Sequence, residues 1–533
     1  MLCLLGNLNL KAQEVNIIPA PQEVKMGEGT FTINNQTKIA YTTESKSTAE
    51  VLQSNLNAIW GYQVGLAESA DGNIKFELNK NLGTEAYELV VAKSGIQIKA
   101  STGAGWFYGV QSLLQLIPTT DSKEKVSSIN IPLVSIKDSP RFKWRAFMLD
   151  EGRYFKGIEM VKQLLDEMAR LKMNTFHWHL TDDQGWRIEI KKYPLLTEIG
   201  SKRKSTQIGP LKWQSEIQSA EPHSGFYTQE QIKEVVKYAQ DRHITVVPEI
   251  EMPGHSSAAI AAYSWLGTNK KEIEVPIKFG VGTDVYDVSD PKVYQFLTDV
   301  LDEVMALFPS KVIHIGGDEV KYNHWKESES VQAYMKKNNL KSPAELQVFF
   351  TNRISHYLNS KGRRMMGWNE IMGHNLHEYQ DAADTKSDQR LAEGTVVHFW
   401  KGNVKLATQA ASTGFDIVYS LHTDTYLDYT YDRIPLSKSY SYDPIPADLD
   451  PKFHDKVIGT GCQMWSEWTP TKGNIHFQAF PRIAAYAEVG WTEKENKNYE
   501  HFKVALQNLE EIWKQEGIYF APNSVVDPAK KKK

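Results

Sequence analysis

The stretch KVIHIGGDEV, residues 311–320, carries a short apolar run into two glycines and two adjacent acids. Neighbouring side chains on a strand point to opposite faces, so Asp318 and Glu319 are expected to meet different parts of whatever binds there. Seven further runs share the plan: RAFMLDEG (145–152), NTFHWHLTD (174–182), ITVVPEIEM (244–252), RRMMGWNE (363–370), TVVHFW (395–400), FDIVYS (415–420) and GTGCQMWSE (459–467). Nearly every one ends in acid, His, Trp or Arg. Helical patterns separate them. In GIEMVKQLLDEMARLKM (157–173), Val161, Leu164, Leu165, Met168 and Leu171 fall on one stripe. Thr228 with Gln231 three residues on forms a capping box ahead of Ile232, Val235, Val236 and Ala239. Eight β-then-α units predict a (β/α)8 TIM barrel, in which chemistry gathers at the C-terminal ends of the strands. A doubly wound sheet would not need eight such units.

Upstream, residues 15–137 alternate short β-rich runs (TFTINN, YELVVA, GIQIKAS) with helical patterns at Ser47–Ile59 and in STGAGWFYGVQSLLQLIP (101–118). This predicts a smaller α/β domain with a largely antiparallel sheet. The expected divisions are 1–14 (a possible signal-peptide remnant), 15–137 (the N-terminal domain), 140–500 (the barrel) and 501–533 (a C-terminal helix and basic tail). The start, MLCLLGNLNLKAQEV, resembles the end of a secretory signal peptide without its basic first residues, so a periplasmic or secreted location is expected. Lys530–Lys533 read as a solvated end.

The 533 residues are 41% hydrophobic and 24% charged with a formal net charge of −4, a globular composition whose mixed charges argue against a nucleic-acid partner. No apolar stretch is long enough to span a membrane. Two cysteines, Cys3 and Cys462, support neither a disulfide framework nor a cysteine zinc site. Fourteen tryptophans, many near acids, suit a sugar site, because the apolar face of a pyranose lies flat on an indole. No G-x-G-x-x-G, P-loop or G-x-S-x-G element stands in a suitable context. Carboxylates over an aromatic floor suggest glycoside hydrolysis.

Seven motifs in barrel order resemble the β-N-acetylhexosaminidases, the family-twenty glycoside hydrolases: WRAFMLDEGRYF (144–155), NTFHWHLTDDQGWRIEI (174–190), VVPEIEMPGH (246–255), HIGGDEV (314–320), GWNE (367–370), YLDY (426–429) and WSEW (465–468). IIPAPQEV (17–24) and GWFYGVQSLLQLI (105–117) resemble the smaller domain that precedes the barrel in that family. The resemblance implies an exo-acting enzyme that releases terminal β-linked N-acetylhexosamine from an oligosaccharide or glycoconjugate with retention, the substrate's own acetamide oxygen serving as nucleophile. It assigns Glu319 as general acid and base, Asp318 as the acid that orients the acetamide, and Tyr426 as its hydrogen-bond partner. Trp368, Trp400 and Trp465 would enclose the sugar, and Arg145, Asp428 and Glu467 would bind ring hydroxyls. Asp182 and His255 would set the protonation and orientation of Glu319, with Asp182 and Asp183 equally eligible. No metal or other cofactor is implied. A raised pKa is expected for Glu319, a carboxyl at a partly dry site beside another. His177 and His179 share a strand face and are read as satisfied internally.

Three alternatives differ in kind. A metal-dependent amidohydrolase-type barrel would use the His-x-His pair with His255, His314 and Asp318, although the pair falls on the second strand. A sugar-binding barrel without turnover is opposed by the intact Asp318, Glu319 and Tyr426. A biosidase variant would release a disaccharide. Epimer preference, natural glycan and oligomeric state are not readable from these residues. The loops at 201–226 and 436–458 are expected to shape the aglycone side.

Overall fold

The computed structural model describes residues 15–60, 63–118, 126–209, 213, 215–381 and 390–529. The signal-like segment 1–14 and the tail Lys530–Lys533 lie outside the described residues. The chain divides into two compact units, one running to Arg141 and including Trp491–Ile518, the other comprising Phe142–Gly490 and the residues from Tyr519 onward.

The first unit is built on a seven-stranded sheet: β1 (Glu23–Asn34), β2 (Lys38–Tyr41), β3 (Gly65–Glu68), β4 (Ile74–Leu78), β5 (Tyr87–Ala92), β6 (Gly95–Ala100) and β7 (Ser128–Asp138), in the order β1-β7-β5-β6-β4-β2-β3. The long ladders β1–β7, β7–β5 and β5–β6 are antiparallel, and β4, β2 and β3 join in parallel. Strict burial alternation along β5 and β6 gives the sheet one apolar face. Helix α1 (Lys46–Trp60) and the largely buried α2 (Gly103–Gln115) complete the layer architecture. Asp138, at the end of β7, accepts a 2.6 Å bond from the Tyr87 hydroxyl and two of 3.0 Å from the Trp491 indole, tying the returning chain to the sheet.

The second unit is a closed, all-parallel eight-stranded barrel. Its strands are β8 (Trp144–Asp150), β9 (Thr175–His179), β10 (Thr245–Glu249), β11 (Val312–His314), β12 (Arg364–Trp368), β13 (Val396–Phe399), β14 (Asp416–Tyr419) and β15 (Val457–Met464). Each of the eight runs read from the sequence supplies one of them. They read as continuous apolar runs because helices cover the outside while side chains fill the inside. Trp144, Ala146, Val247, Val312, Met366, Val396 and Val418 pack the interior as one cluster. The first covering helix, α3 (Ile158–Arg170), buries Val161, Leu164, Leu165 and Met168. Helix α4 (Gln229–Gln240) begins with the Thr228–Gln231 capping box. Among the described residues no helix is long and apolar enough to cross a membrane.

Met366→Ala, in the fully buried interior cluster, is expected to cost about 2–5 kcal/mol and lower the denaturation midpoint. Leu78→Ala, at a position 56% exposed, should leave it within about 0.5 kcal/mol.

Candidate active site

The first four barrel strands end level with one another. Asp150 pairs in register with His179, His179 with Glu249, and Glu249 with His314. This row places Glu249 at the centre of a buried polar cluster. Its Oε2 lies 2.7 Å from both His177 Nε2 and His179 Nδ1, and its Oε1 lies 3.0 Å from His314 Nδ1. The Trp368 indole N–H donates to the same carboxylate at 2.8 Å. Burial alone would lift the Glu249 carboxyl, but the facing histidines outweigh it and hold it well below the usual range. His179, also 2.9 Å from Asp182, is carried up to about 10 by these carboxylates against its burial, while burial pushes His314 down to about 4. Glu249 therefore faces a His179 whose protonated form is favoured and a His314 whose neutral form is favoured.

Beyond β11 the backbone leaves strand geometry. Gly316 (φ +65°), Gly317 (φ +87°) and Glu319 (φ +50°) all enter the left-handed region. A Cβ on Gly316 would fall inside the Glu251 carboxylate, so only glycine fits there. The turn sends Asp318 inward and Glu319 toward the mouth, with side-chain exposures of 12% and 24%. The two acids thus diverge through a left-handed turn, not through strand alternation. Burial, reinforced by Glu370, Glu319 and Glu249, pushes the Asp318 carboxyl well above its ordinary range despite His255. Glu319 shifts the other way: burial raises it, but hydrogen bonding and charge from His255, with His377 and Arg153, bring it below its ordinary value. The expected raised pKa therefore belongs to Asp318, because the imidazoles gather on Glu319.

Beside Asp318 the aromatic side chains close in. Trp368 and Trp465 have ring centroids 5.9 Å apart, Trp368 and Trp400 6.4 Å, and Tyr426 stacks on Trp400 at 6.1 Å with planes 9° apart. Tyr426 completes the enclosure against Trp465 at 5.9 Å, and its phenol is raised by burial and by Asp318. Three tryptophans and the tyrosine thus line one compartment beside one acid. A polar rim adjoins it. Burial lifts Glu467 to about 7 and lifts Asp428 well above its ordinary range, each acid reinforced by other carboxylates.

The cation serving that rim is Arg153 and not Arg145. Arg145 is the second residue of β8, at the end of the barrel away from Asp150, and its guanidinium donates to the backbone carbonyls of Lys172 (2.8 Å) and Phe142 (2.7 Å). Five residues of strand, roughly 16 Å, separate it from the level of Asp150. Arg153 follows the strand end, contacts Asp182 at 2.9 Å and Asp150 at 3.5 Å, and lies 5.0 Å from the centre of the Trp465 ring. Of the two arginines in WRAFMLDEGRYF, the second, not the first, reaches the site.

His255 bridges two pairs of acids. Its Nδ1 lies 3.3 Å from both Asp182 Oδ1 and Asp183 Oδ2, and its Nε2 lies 3.8 Å from Asp318 Oδ2 and 3.7 Å from Glu319 Oε2. Both aspartates back the imidazole: Asp182 through its pair with Arg153, and Asp183 held by Ser257 and the Gly282 N–H. The candidate metal ligands separate. His177 and His314 gather with Glu249, and His255 with Asp318 and Glu319, two separate groups whose potential ligand atoms each lie within 4.8 Å of one another. Besides Arg153 and Glu249, two further residues of the site went unread in the sequence. Glu370, the last residue of GWNE, accepts the Trp400 indole N–H at 2.9 Å. His377, in no motif, reaches Glu319 Oε1 at 3.4 Å.

Comparison with known proteins shows the family. Residues 142–494 match the model of the glycosyl hydrolase family 20 catalytic domain, and residues 14–139 that of family 20 domain 2. A beta-hexosaminidase of Porphyromonas gingivalis is 37% identical over 514 residues, covering 93% of this chain and 62% of its own length. This chain therefore spans under two thirds of that relative. A beta-hexosaminidase of Vibrio furnissii is 35% identical over 500 residues, covering 91% and 77%. The crystal structure of the GH20 exo β-N-acetylglucosaminidase of Vibrio harveyi in complex with N-acetylglucosamine superposes with a TM-score of 0.82 at 32% identity, covering 95% of this chain and 78% of that one.

Exchanging the two arginines separates their roles. Arg153→Ala should lower kcat/KM by about 100-fold or more in a folded protein, as expected on losing a charge-assisted contact. Arg145→Met should lower the thermal midpoint while leaving KM of the folded protein within about twofold.

Proposed function

Since the chain belongs to glycosyl hydrolase family 20, we propose that it is an exo-acting β-N-acetylhexosaminidase that removes terminal β-linked GlcNAc or GalNAc with retention. The observation that carries the reading is the buried Asp318 beside the Trp368–Trp400–Trp465–Tyr426 enclosure, next in sequence to a Glu319 that faces outward. That geometry suits an acetamide held by one acid and a glycosidic oxygen facing its neighbour.

In the first half-reaction the acetamide carbonyl oxygen attacks the anomeric carbon as the glycosidic C–O bond breaks. Glu319 gives its proton to the departing oxygen. Asp318 accepts the acetamide N–H and stabilises the positive charge that grows on the resulting oxazolinium ring. The Tyr426 hydroxyl donates to the acetamide oxygen, and the indoles exclude water and seat the methyl group and the sugar face. In the second half-reaction Glu319, now ionised, takes a proton from the incoming water, which attacks the anomeric carbon and reopens the ring. Arg153, Asp428 and Glu467 hold the ring hydroxyls.

The charge states supply a further requirement. In the free protein burial and the neighbouring carboxylates favour the proton on Asp318, and the imidazoles favour the charge on Glu319, the reverse of the arrangement needed for attack. His255 Nε2 lies within 4 Å of both carboxylates and offers the route by which the proton changes sides when the acetamide N–H reaches Asp318. The pair works when it holds one proton, so kcat/KM should follow a bell: lost at low pH as both acids protonate, and lost at high pH as both ionise.

The N-terminal run that resembles a signal peptide supports action in the periplasm or outside the cell, on glycans presenting N-acetylhexosamine ends.

Hydrolysis of an aryl N-acetyl-β-glucosaminide and its galacto epimer tests the function. Turnover of at least one, inhibition by a thiazoline mimic of the intermediate, and a loss of about 100-fold or more in Asp318→Asn are expected. No turnover of either substrate by the wild type would contradict the reading.

A further inference from the structure

His255 is not the only imidazole on Glu319. His377 lies in the irregular chain after β12, its side chain 9% exposed, with Nε2 at 3.4 Å from Glu319 Oε1 and 3.5 Å from Glu370 Oε1. That Nε2 is buried without an aligned hydrogen-bond partner among the described residues. The ring is fixed from both sides, stacked on Tyr379 with centroids 5.1 Å apart and planes at 16°, and packed against Trp400 at 5.9 Å. Its other nitrogen, Nδ1, lies 3.2 Å from the Lys401 ammonium. An ammonium only donates, so Nδ1 must accept, and the ring proton of a neutral imidazole then sits on Nε2. The N–H is thereby placed on the side of the two carboxylates, 3.4 and 3.5 Å from their nearer oxygens and aligned on neither.

We propose that His377 is a positioning residue of the reaction, a fixed N–H donor that holds the carboxylate form of Glu319 for its role as base toward water. The inference rests on the glycosidase reading above and deepens it. Glu319 is then flanked at both oxygens, by His255 3.7 Å from Oε2 and by His377 3.4 Å from Oε1, while Asp318, Arg153, Glu370 and Tyr379 supply the remaining charged and titratable surroundings. The two imidazoles differ in task. His255 contacts both acids of the pair and serves proton exchange, whereas His377 contacts Glu319 and not Asp318. An N–H on Glu319 alone favours its ionised form, so it lowers the pH at which the singly protonated pair takes up its second proton. The pH at which Asp318 loses its proton stays in place.

The test compares the pH profile of kcat/KM on the aryl substrate for wild type, His377→Phe and His377→Gln. Phenylalanine keeps the stacking on Tyr379 and Trp400 but has no N–H, and glutamine restores a donor where Nε2 stood. In His377→Phe the acid limb should move to higher pH by on the order of one unit, as expected for a lost hydrogen bond to a charged group, with the alkaline limb unmoved. His377→Gln should return the limb toward wild type. Lys401→Met, which frees the ring to take its other tautomer, should move it in the same direction by less. A readout independent of turnover is the titration of the Glu319 carboxyl carbon by 13C NMR, assigned by its absence in Glu319→Gln; its midpoint should rise in His377→Phe. An acid limb and carboxyl midpoint unchanged in folded His377→Phe would overturn the proposal whether or not the wild type turns over the aryl substrate. A wild type without turnover but with a shifted midpoint would refute the glycosidase reading and leave the His377–Glu319 contact standing.

Discussion

The mouth of the barrel depends on one buried carboxylate. Glu249 is fully enclosed, and a lone ion there would be strongly unfavourable. Three histidines from β9 and β11, together with the Trp368 indole, compensate it. This arrangement couples charge to shape: the acid that needs the histidines also anchors the tryptophan at the floor of the proposed sugar site. The floor is thereby fixed to the strands, which suits the proposed reaction, whose nucleophile would belong to the substrate and be folded back onto its own anomeric carbon.

Above that floor the electrostatics are set by an asymmetry in where the imidazoles lie. Asp318 and Glu319 are neighbours in sequence and both are largely buried, yet they shift in opposite directions. Burial with Glu370, Glu319 and Glu249 nearby favours the protonated form of Asp318. His255 and His377 favour the ionised form of Glu319. Environments that push paired carboxyls apart are how enzymes assign acid and base roles. In the proposed reaction an amide N–H brought to Asp318 would favour the opposite distribution. The backbone strain of a left-handed Glu319, of the order of 1–3 kcal/mol, is consistent with a residue whose position is fixed by function.

Much of this was legible in the sequence. Strands buried on both faces leave continuous apolar runs, and all eight could be read because each is punctuated by a polar end. The site residues could be read wherever a motif places them just past such an end: Asp318, Glu319, Trp368, Tyr426, Asp428, Trp465 and Glu467. Arg145 failed because a motif does not reveal where the strand starts. Residue type and motif membership fit equally well for Arg145 and Arg153, and only the register of β8 against β9 and β15 shows that one lies at the wrong end. The pKa direction of Glu319 failed for a similar reason. The neighbouring acid is visible in the sequence, but His255 and His377 reach it from 64 and 58 residues away (319 minus 255, and 377 minus 319). His377 carries no signal at all, since it sits in an irregular stretch and its meaning is wholly tertiary.

The central claim is that the nucleophile is the substrate's acetamide, poised by Asp318 and enclosed by the indoles. It is tested most directly by aryl glycosides whose N-acyl group carries zero, one, two and three fluorines. Fluorine makes the carbonyl oxygen a weaker nucleophile while hardly changing its size. The account predicts that kcat/KM falls progressively and steeply along the series, with the anomeric configuration retained throughout. Rates independent of fluorination would contradict it and require a nucleophile from the protein.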